Sequence, residues 1–398
     1  MAKTTSWWHV LILLIAGVAI SLQIGKVPGA VPVLKEELSI SLFAAGWVIS
    51  IFNLIAATSG IALGGIADKF GQHRTVVFGL VLTALAAILG AFATGPASLL
   101  VTRALEGFGF VVATVSIPML MTAVAASRDR DLVLGLWSVY MPMGTGMMML
   151  IGAPLLDITG WRGLWWLTAI IILGVCVAVY RVAGRAVTSL PPHTRPRMRD
   201  ITQVATRRGP LMLALLFCCY AGMFMAVLGF LPYILVEVDG LSKPLAATFG
   251  AVAVLANVVG NLLGAFALHH NADRRVMMLI GNLSMAVGAT LAMMDFHPYI
   301  RVYGGALLAL GGGWIPSTLF TLAPVHAPRI QQLSSVTGLM QQGAAIGMLL
   351  MPPAVAAIVG WFGTWSAAVP FAWAVALVGV YATIQLTRSD SLGSQVPA

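Results

Sequence analysis

Charge is what this sequence has least of. Only 9% of its 398 residues are Asp, Glu, Lys or Arg, against about 25% in a soluble domain. With 59% hydrophobic residues, the chain lacks the polar side chains that cover a water-soluble globule. The same composition excludes intrinsic disorder, which requires low hydrophobicity and high charge. Cysteine is almost absent. Cys176, Cys218 and Cys219 all sit in apolar runs, which excludes a disulfide scaffold and a Cys-based zinc site. The histidines (His9, His73, His193, His269, His270, His297 and His326) fall at segment ends or in loops. His269 and His270 are adjacent, so they do not share a helix face, and no metal site is expected. The sequence has no Gly-x4-Gly-Lys-Ser/Thr phosphate loop. Its loops hold no convergent acids, histidine or nucleophile of the kind a membrane-embedded enzyme needs. Neither an enzymatic activity nor a cofactor is expected.

What the chain has in abundance is apolar runs of spanning length. A membrane helix takes about 20 such residues. Charge clusters and Gly/Pro/Asn turns divide the chain into twelve segments, near 8–34, 41–66, 75–93, 97–124, 132–156, 163–182, 209–235, 244–268, 276–294, 302–325, 334–358 and 366–387. This predicts an all-α membrane protein. The one long connection runs from about Arg181 to Arg208 and carries seven arginines against one acid, Asp200. Residues 1–182 are therefore read as one six-helix bundle, 183–208 as a cytoplasmic linker and 209–398 as a second bundle. The first segment is too long for a secretory leader and has only Lys3 before it, so it is expected to be a retained helix.

The basic excess has a topological explanation. With the N-terminus placed in the cytoplasm, Lys35, Arg162, Lys243 and Arg301 fall outside and Lys26 and Arg103 fall within spans. The other sixteen of the 22 Lys and Arg lie inside, as the positive-inside rule requires. The basic excess thus encodes orientation, and no nucleic-acid partner is expected. Both termini are expected in the cytoplasm, and the short loops suggest a bacterial inner membrane.

The halves look related. Gly135-Leu136 is matched by Gly338-Leu339, and Gly144 by Gly347. With a three-residue slip, Gly160-Trp161, Gly163 and Trp165 match Gly360-Trp361, Gly363 and Trp365. Ala67-Asp68-Lys69 corresponds to Ala272-Asp273-Arg274. Two homologous six-helix halves form a repeat architecture of secondary transporters.

After the second segment comes Gly64-Gly65-Ile66-Ala67-Asp68-Lys69-Phe70-Gly71-Gln72-His73-Arg74. This resembles the loop signature of the major facilitator superfamily. Arg103 followed by Gly107 and Gly109 resembles its helix-four pattern. The stretch from Gly25-Lys26-Val27-Pro28 to Ala45-Gly46-Trp47 looks more like cyanate-permease-like bacterial members than sugar porters. The resemblance implies two pseudo-symmetric bundles with helices one and four adjacent. It also implies a latch of Gly64, Asp68, Lys69, Gly71 and Arg74 that holds the halves shut at the cytoplasmic face. Gln72 replaces a usual basic residue of that latch.

Three ionisable residues fall at membrane depth: Lys26, Arg103 and Glu106. Such groups are functional by default. Arg103 and Glu106 are neighbours on one helix face, and Lys26 lies in the same outer layer. One cation neutralises Glu106 and the other is left to attract an anion. Glu106, as the one carboxylate at depth, is the expected proton carrier, with Arg103 beside it. The alternatives are a permanent ion pair that only positions helix four and, for Lys26, snorkelling to the outer surface. Lys26 lies between Gly25 and Pro28-Gly29, a stretch expected to bend or unwind. Gln23, Tyr140, Tyr220, Asn257, Asn261, Gln341 and Gln342 are further candidates for a substrate cavity, with interhelical hydrogen bonding the competing role.

The reading that follows is a monomeric secondary transporter taking up a small, anionic solute with protons by alternating access. The alternative is proton-linked efflux of hydrophobic or drug-like compounds. The family's helix-five exporter motif is poorly matched by Met141-Pro142-Met143-Gly144-Thr145-Gly146.

Overall fold

The computed structural model describes residues 4–59, 71–129, 133, 136–137, 139–186, 203–327 and 333–393. Helix follows helix. α1 is Trp7–Leu38, α2 Leu42–Ser59, α3 Gln72–Ala91 and α4 Pro96–Val124. The stretch Tyr140–Ala186 is broken at Gly160, whose φ of 62° is non-helical, into α5 (140–159) and α6 (161–186). α7 is Arg208–Glu237, α8 Lys243–His269, α9 Arg274–Met293 and α10 Pro298–His326. α11 is Leu333–Phe362 and α12 Val369–Gly393. Eleven stretches of the described residues are long and apolar enough to cross a membrane. The break at Gly160 divides one of them, which makes the twelve helices read from the sequence.

Local chemistry sets the starts. Pro96 and Pro298 open α4 and α10, and Pro244 lies in the first turn of α8, positions where a missing N–H costs nothing. Ser41 caps α2 by accepting from Ala44 N at 3.1 Å. Asp273 caps α9, accepting from Arg275 N at 2.7 Å and Val276 N at 3.1 Å. A carboxylate there also meets the positive end of the helix dipole.

Two expectations are corrected. First, α1 runs unbroken through Pro28 and Pro32, so the residues around Lys26 do not unwind. In a membrane helix, neighbours and local adjustments re-satisfy the freed backbone groups. Second, the repeat has no three-residue slip at the second glycine. Gly160 pairs instead with Gly363, at the spacing that relates Gly144 to Gly347, and both take positive φ (62° and 73°) at a helix end. Trp161 is buried and Trp361 is 87% exposed, so those two tryptophans are not equivalent. Arg301, which the sequence places outside the spans, is not left to solvent. It is 1% exposed and lies 3.3 Å from both Asp239 and Asp295. It also donates through Nε to the Phe296 carbonyl at 3.1 Å.

Small residues let the helices close up. A Cβ on Gly144 of α5 would sit 2.3 Å from the Val18 carbonyl oxygen of α1, and one on Gly347 of α11 2.1 Å from that of Cys218 in α7. The α1–α5 and α7–α11 contacts are thus built alike. In the same way a Cβ on Gly107 of α4 would lie 1.8 Å from the Phe52 carbonyl oxygen of α2. This approach brings α2 and α4 against α1.

We call the end of the molecule where α1 finishes the distal face. There the last turn of α1 reaches across to α7 and α8. Lys35 donates to the Tyr233 hydroxyl, and Lys243 to Glu36 at 2.7 Å. Glu37 turns back to α6, accepting from Trp161 Nε1 at 2.9 Å and Arg162 Nη1 at 2.8 Å.

Candidate functional site

Lys26 of α1 reaches α4. Its Nζ lies 2.9 Å from Glu106 Oε1. Arg103, three residues before Glu106 on α4, donates to the other carboxylate oxygen, Oε2. Lys26, Arg103 and Glu106 are each at most 1% exposed. The adjacency of helices one and four is observed, and the lysine does not snorkel. The division of labour expected of the two cations is corrected, because both bind Glu106.

Arg103 is tethered beyond the ion pair. Its Nη1 donates to the Gln23 carbonyl at 3.0 Å and its Nε to the Val48 carbonyl at 3.4 Å. Its guanidinium lies 4.7 Å from the centre of the Phe52 ring. Lys26 has a different second neighbour, the indole of Trp165 on α6, 4.2 Å from Nζ to ring centroid. Two cations and one anion leave a surplus positive charge in a site without water contact. Burying an unpaired ion costs several kcal/mol. A ring face under each cation offsets about 0.5–2 kcal/mol, and the carbonyls hold Arg103.

Three polar atoms here stay unsatisfied. Both amide atoms of Gln23 and Nε1 of Trp165 are buried without a hydrogen-bond partner among the described residues, and both residues are 0% exposed. Beside them runs a file of rings: Phe52 and Phe110 at 5.0 Å, Phe110 and Tyr140 at 6.5 Å, and Tyr140 stacked on Trp137 at 3.9 Å. Tyr140 thus belongs to the same half-cluster as Arg103.

The candidates from the second half form a separate, neutral chain. Asn257 Nδ2 donates to the Tyr220 hydroxyl at 3.0 Å and to the Ala309 carbonyl at 2.8 Å. Asn261 Nδ2 donates to Asn257 Oδ1 at 2.8 Å, and Ser317 Oγ to the Asn261 carbonyl at 3.1 Å. These bonds tie α7, α8 and α10 together. Gln342 donates to the Ala57 carbonyl of α2 at 2.8 Å, and Gln341 is exposed. A groove of about 500 Å³ between α7, α11 and α12 is apolar and includes none of these residues.

Of the expected latch, Gly64, Asp68 and Lys69 lie outside the described residues. Gly71 has φ of 88° ahead of α3, a turn that glycine adopts readily. Arg74 is exposed. Sequence reasoning missed Trp165 and Phe52 as partners of the charges, since an aromatic residue in an apolar helix carries no mark of what it faces. It also missed the distal contacts of Lys35 and Glu36, although consecutive charges at a helix end were visible.

Ionisable groups buried between membrane helices are rare and mark functional sites by default. The comparisons make this specific. A profile of the Major Facilitator Superfamily matches residues 11–272, and the chain belongs to that superfamily, which places it among transporters rather than enzymes. It is similar to the galactose-proton symporter of Escherichia coli (strain K12), 26% identical over 40% of this chain and 34% of the relative. It is also similar to the methylenomycin A resistance protein of Bacillus subtilis (strain 168), 28% identical over 44% of this chain and 38% of the relative. With the multidrug efflux pump LfrA of Mycolicibacterium smegmatis it shares 23% identity over 76% of this chain and 55% of the relative. The matched stretches thus span about one third to just over half of these relatives. The fold is that of an inward-facing, occupied bacterial homolog of the human lysosomal transporter Spinster, with a TM-score of 0.72, 15% identity and coverage of 98% and 96% of the two chains. It is also that of a D-xylose-proton symporter, with a TM-score of 0.71, 17% identity and coverage of 95% and 96%.

Proposed function

We propose that this protein is a proton-coupled secondary transporter that takes up a small organic or inorganic anion by alternating access across a bacterial inner membrane. The observation that carries the reading is the charge balance at Lys26, Arg103 and Glu106, two cations on one buried carboxylate. Protonation of Glu106 leaves both cations without their anion, and a substrate anion restores the charge the site had before the proton loaded. Proton and substrate are then linked through one site, with Gln23 as an adjacent unpaired hydrogen-bonding group. Tyr140, Tyr220, Asn257, Asn261, Gln341 and Gln342 are assigned to walls that meet the substrate as the halves rock.

Proton-coupled efflux of hydrophobic compounds is the second reading. It is favoured by the similarity to LfrA, which extends over 76% of this chain.

The test is a thermal-shift screen of the purified protein with small carboxylates, cyanate and cationic drugs, followed by flux of the hits in proteoliposomes under an imposed proton gradient. An anion that stabilises the wild type, leaves Lys26→Ala unmoved and accumulates under an inward proton gradient supports uptake. Stabilisation by cationic or neutral compounds alone, with proton-driven release, replaces it with efflux. Equal stabilisation of both proteins by an anion removes Lys26 as the contact.

A further inference from the structure

Protonation of Glu106 raises a question about Lys26. Arg103 keeps the carbonyls of Gln23 and Val48 whatever happens to the carboxylate, but Lys26 has no hydrogen bond except that to Glu106 among the described contacts. A buried ammonium that loses its anion without replacement is strongly disfavoured. Two groups stand ready to receive it. The ring of Trp165 already lies 4.2 Å from Nζ. The Gln23 side-chain oxygen is buried and unpaired. Gln23 is three residues before Lys26, on the same face of α1 and in the direction in which helical side chains lean.

We infer that Trp165 and Gln23 form a standby seat for the Lys26 ammonium, taken up when Glu106 is protonated, so that the proton can load without stranding the lysine. Both are positioning residues. This deepens the proton-coupled reading of the site and rests on it. Among the described residues, Glu106 is faced by Lys26 from α1 and by Arg103 from its own helix. The Thr83 hydroxyl of α3 reaches the Glu106 backbone carbonyl, while α2 and α6 present Phe52 and Trp165 to the two cations. Lys26 and Arg103 are thus the charged neighbours that respond to its protonation. The seat gives a role to the Gln23 side-chain oxygen, an acceptor left unpaired at 0% exposure. It requires a ring face at position 165 and a carbonyl oxygen at position 23.

The experiment is a set of melting temperatures in detergent, which needs no substrate. Glu106→Gln imitates the protonated carboxyl. Trp165→Leu is expected to lower the melting temperature by about 2–4 °C more in the Glu106→Gln background than in the wild type. Gln23→Met should show the same background dependence, whereas Trp165→Phe, which keeps a ring, should not. All of the extra loss should vanish when Lys26→Met is added. Equal penalties in both backgrounds, or a penalty that survives Lys26→Met, overturn the seat. If Glu106→Gln does not fold, the emission of Trp165, isolated as wild type minus Trp165→Phe, takes its place. The seat requires that emission to change on acid titration in the wild type and to stay flat in Lys26→Met, and a flat wild-type titration overturns it. Flux separates the two levels. Coupling without proton-driven transport leaves the seat standing and removes the transport reading, and transport without coupling does the reverse.

Discussion

Glu106 is shared by two cations, so the members of the cluster are not equally replaceable. Lys26→Met leaves Arg103 and Glu106 as a neutral pair. Glu106→Gln leaves two cations, one of them held by carbonyls and the other only by a ring. Removing one member of a buried ion pair costs about 3–5 kcal/mol when a charge is left unpaired. Lys26→Met is therefore expected to melt at a higher temperature than Glu106→Gln, and a Glu106→Gln protein as stable as Lys26→Met contradicts the shared-carboxylate picture. A second residue-scale expectation concerns Asp239, in the turn after α7. Burial pushes its carboxyl above the ordinary carboxylate range, against the opposing pull of Arg301 and His297. A raised folded value means that the folded state takes up the proton more readily than the unfolded one. The associated stability is complete below the ordinary carboxylate value and is lost as pH rises through the raised one. Relative to Asp239→Asn, the wild type should gain melting temperature as pH falls through the carboxylate range; a constant difference refutes this.

At the scale of helices, sign is decided by space. Glycine to alanine favours an open helix by about 0.5–1 kcal/mol. Gly174 has nothing within 4 Å of a would-be Cβ, so Gly174→Ala should be neutral or stabilising. Gly107 has the Phe52 carbonyl oxygen at 1.8 Å. There the same substitution must push α2 from α4 and is expected to cost about 1–3 kcal/mol. It also disturbs the packing of Phe52 on Phe110 and Arg103. Opposite shifts in melting temperature check the pair. Small residues favour close packing of membrane helices, but the sequence does not say which glycine faces backbone. It also showed the repeated Gly160 and Gly363 regions while hiding the register, because two tryptophans of similar spacing offered a false match. Only backbone dihedrals resolved that.

Across the whole molecule, the distal face is held by the last turn of α1, through Lys35 with Tyr233 and Glu36 with Lys243. These are partly exposed contacts, worth about 0–1 kcal/mol each, enough to bias the separation of α1 and α7 without locking it. Glu36→Gln combined with Tyr233→Phe is expected to lengthen the distal distance between spin labels on α1 and α7, with little change in melting temperature; unchanged distances would show that packing alone closes this face. The membrane class and the twelve helices were determined by the sequence alone, because hydropathy and helical rise are local properties that count along the chain. The joining of Lys26 to Glu106, the burial of Arg301, the pairing of Trp165 with the lysine and the tie between α1 and α7 were decided by the tertiary structure. Each depends on which faces of distant helices meet, and an apolar helix in lipid presents no polar stripe from which that can be read.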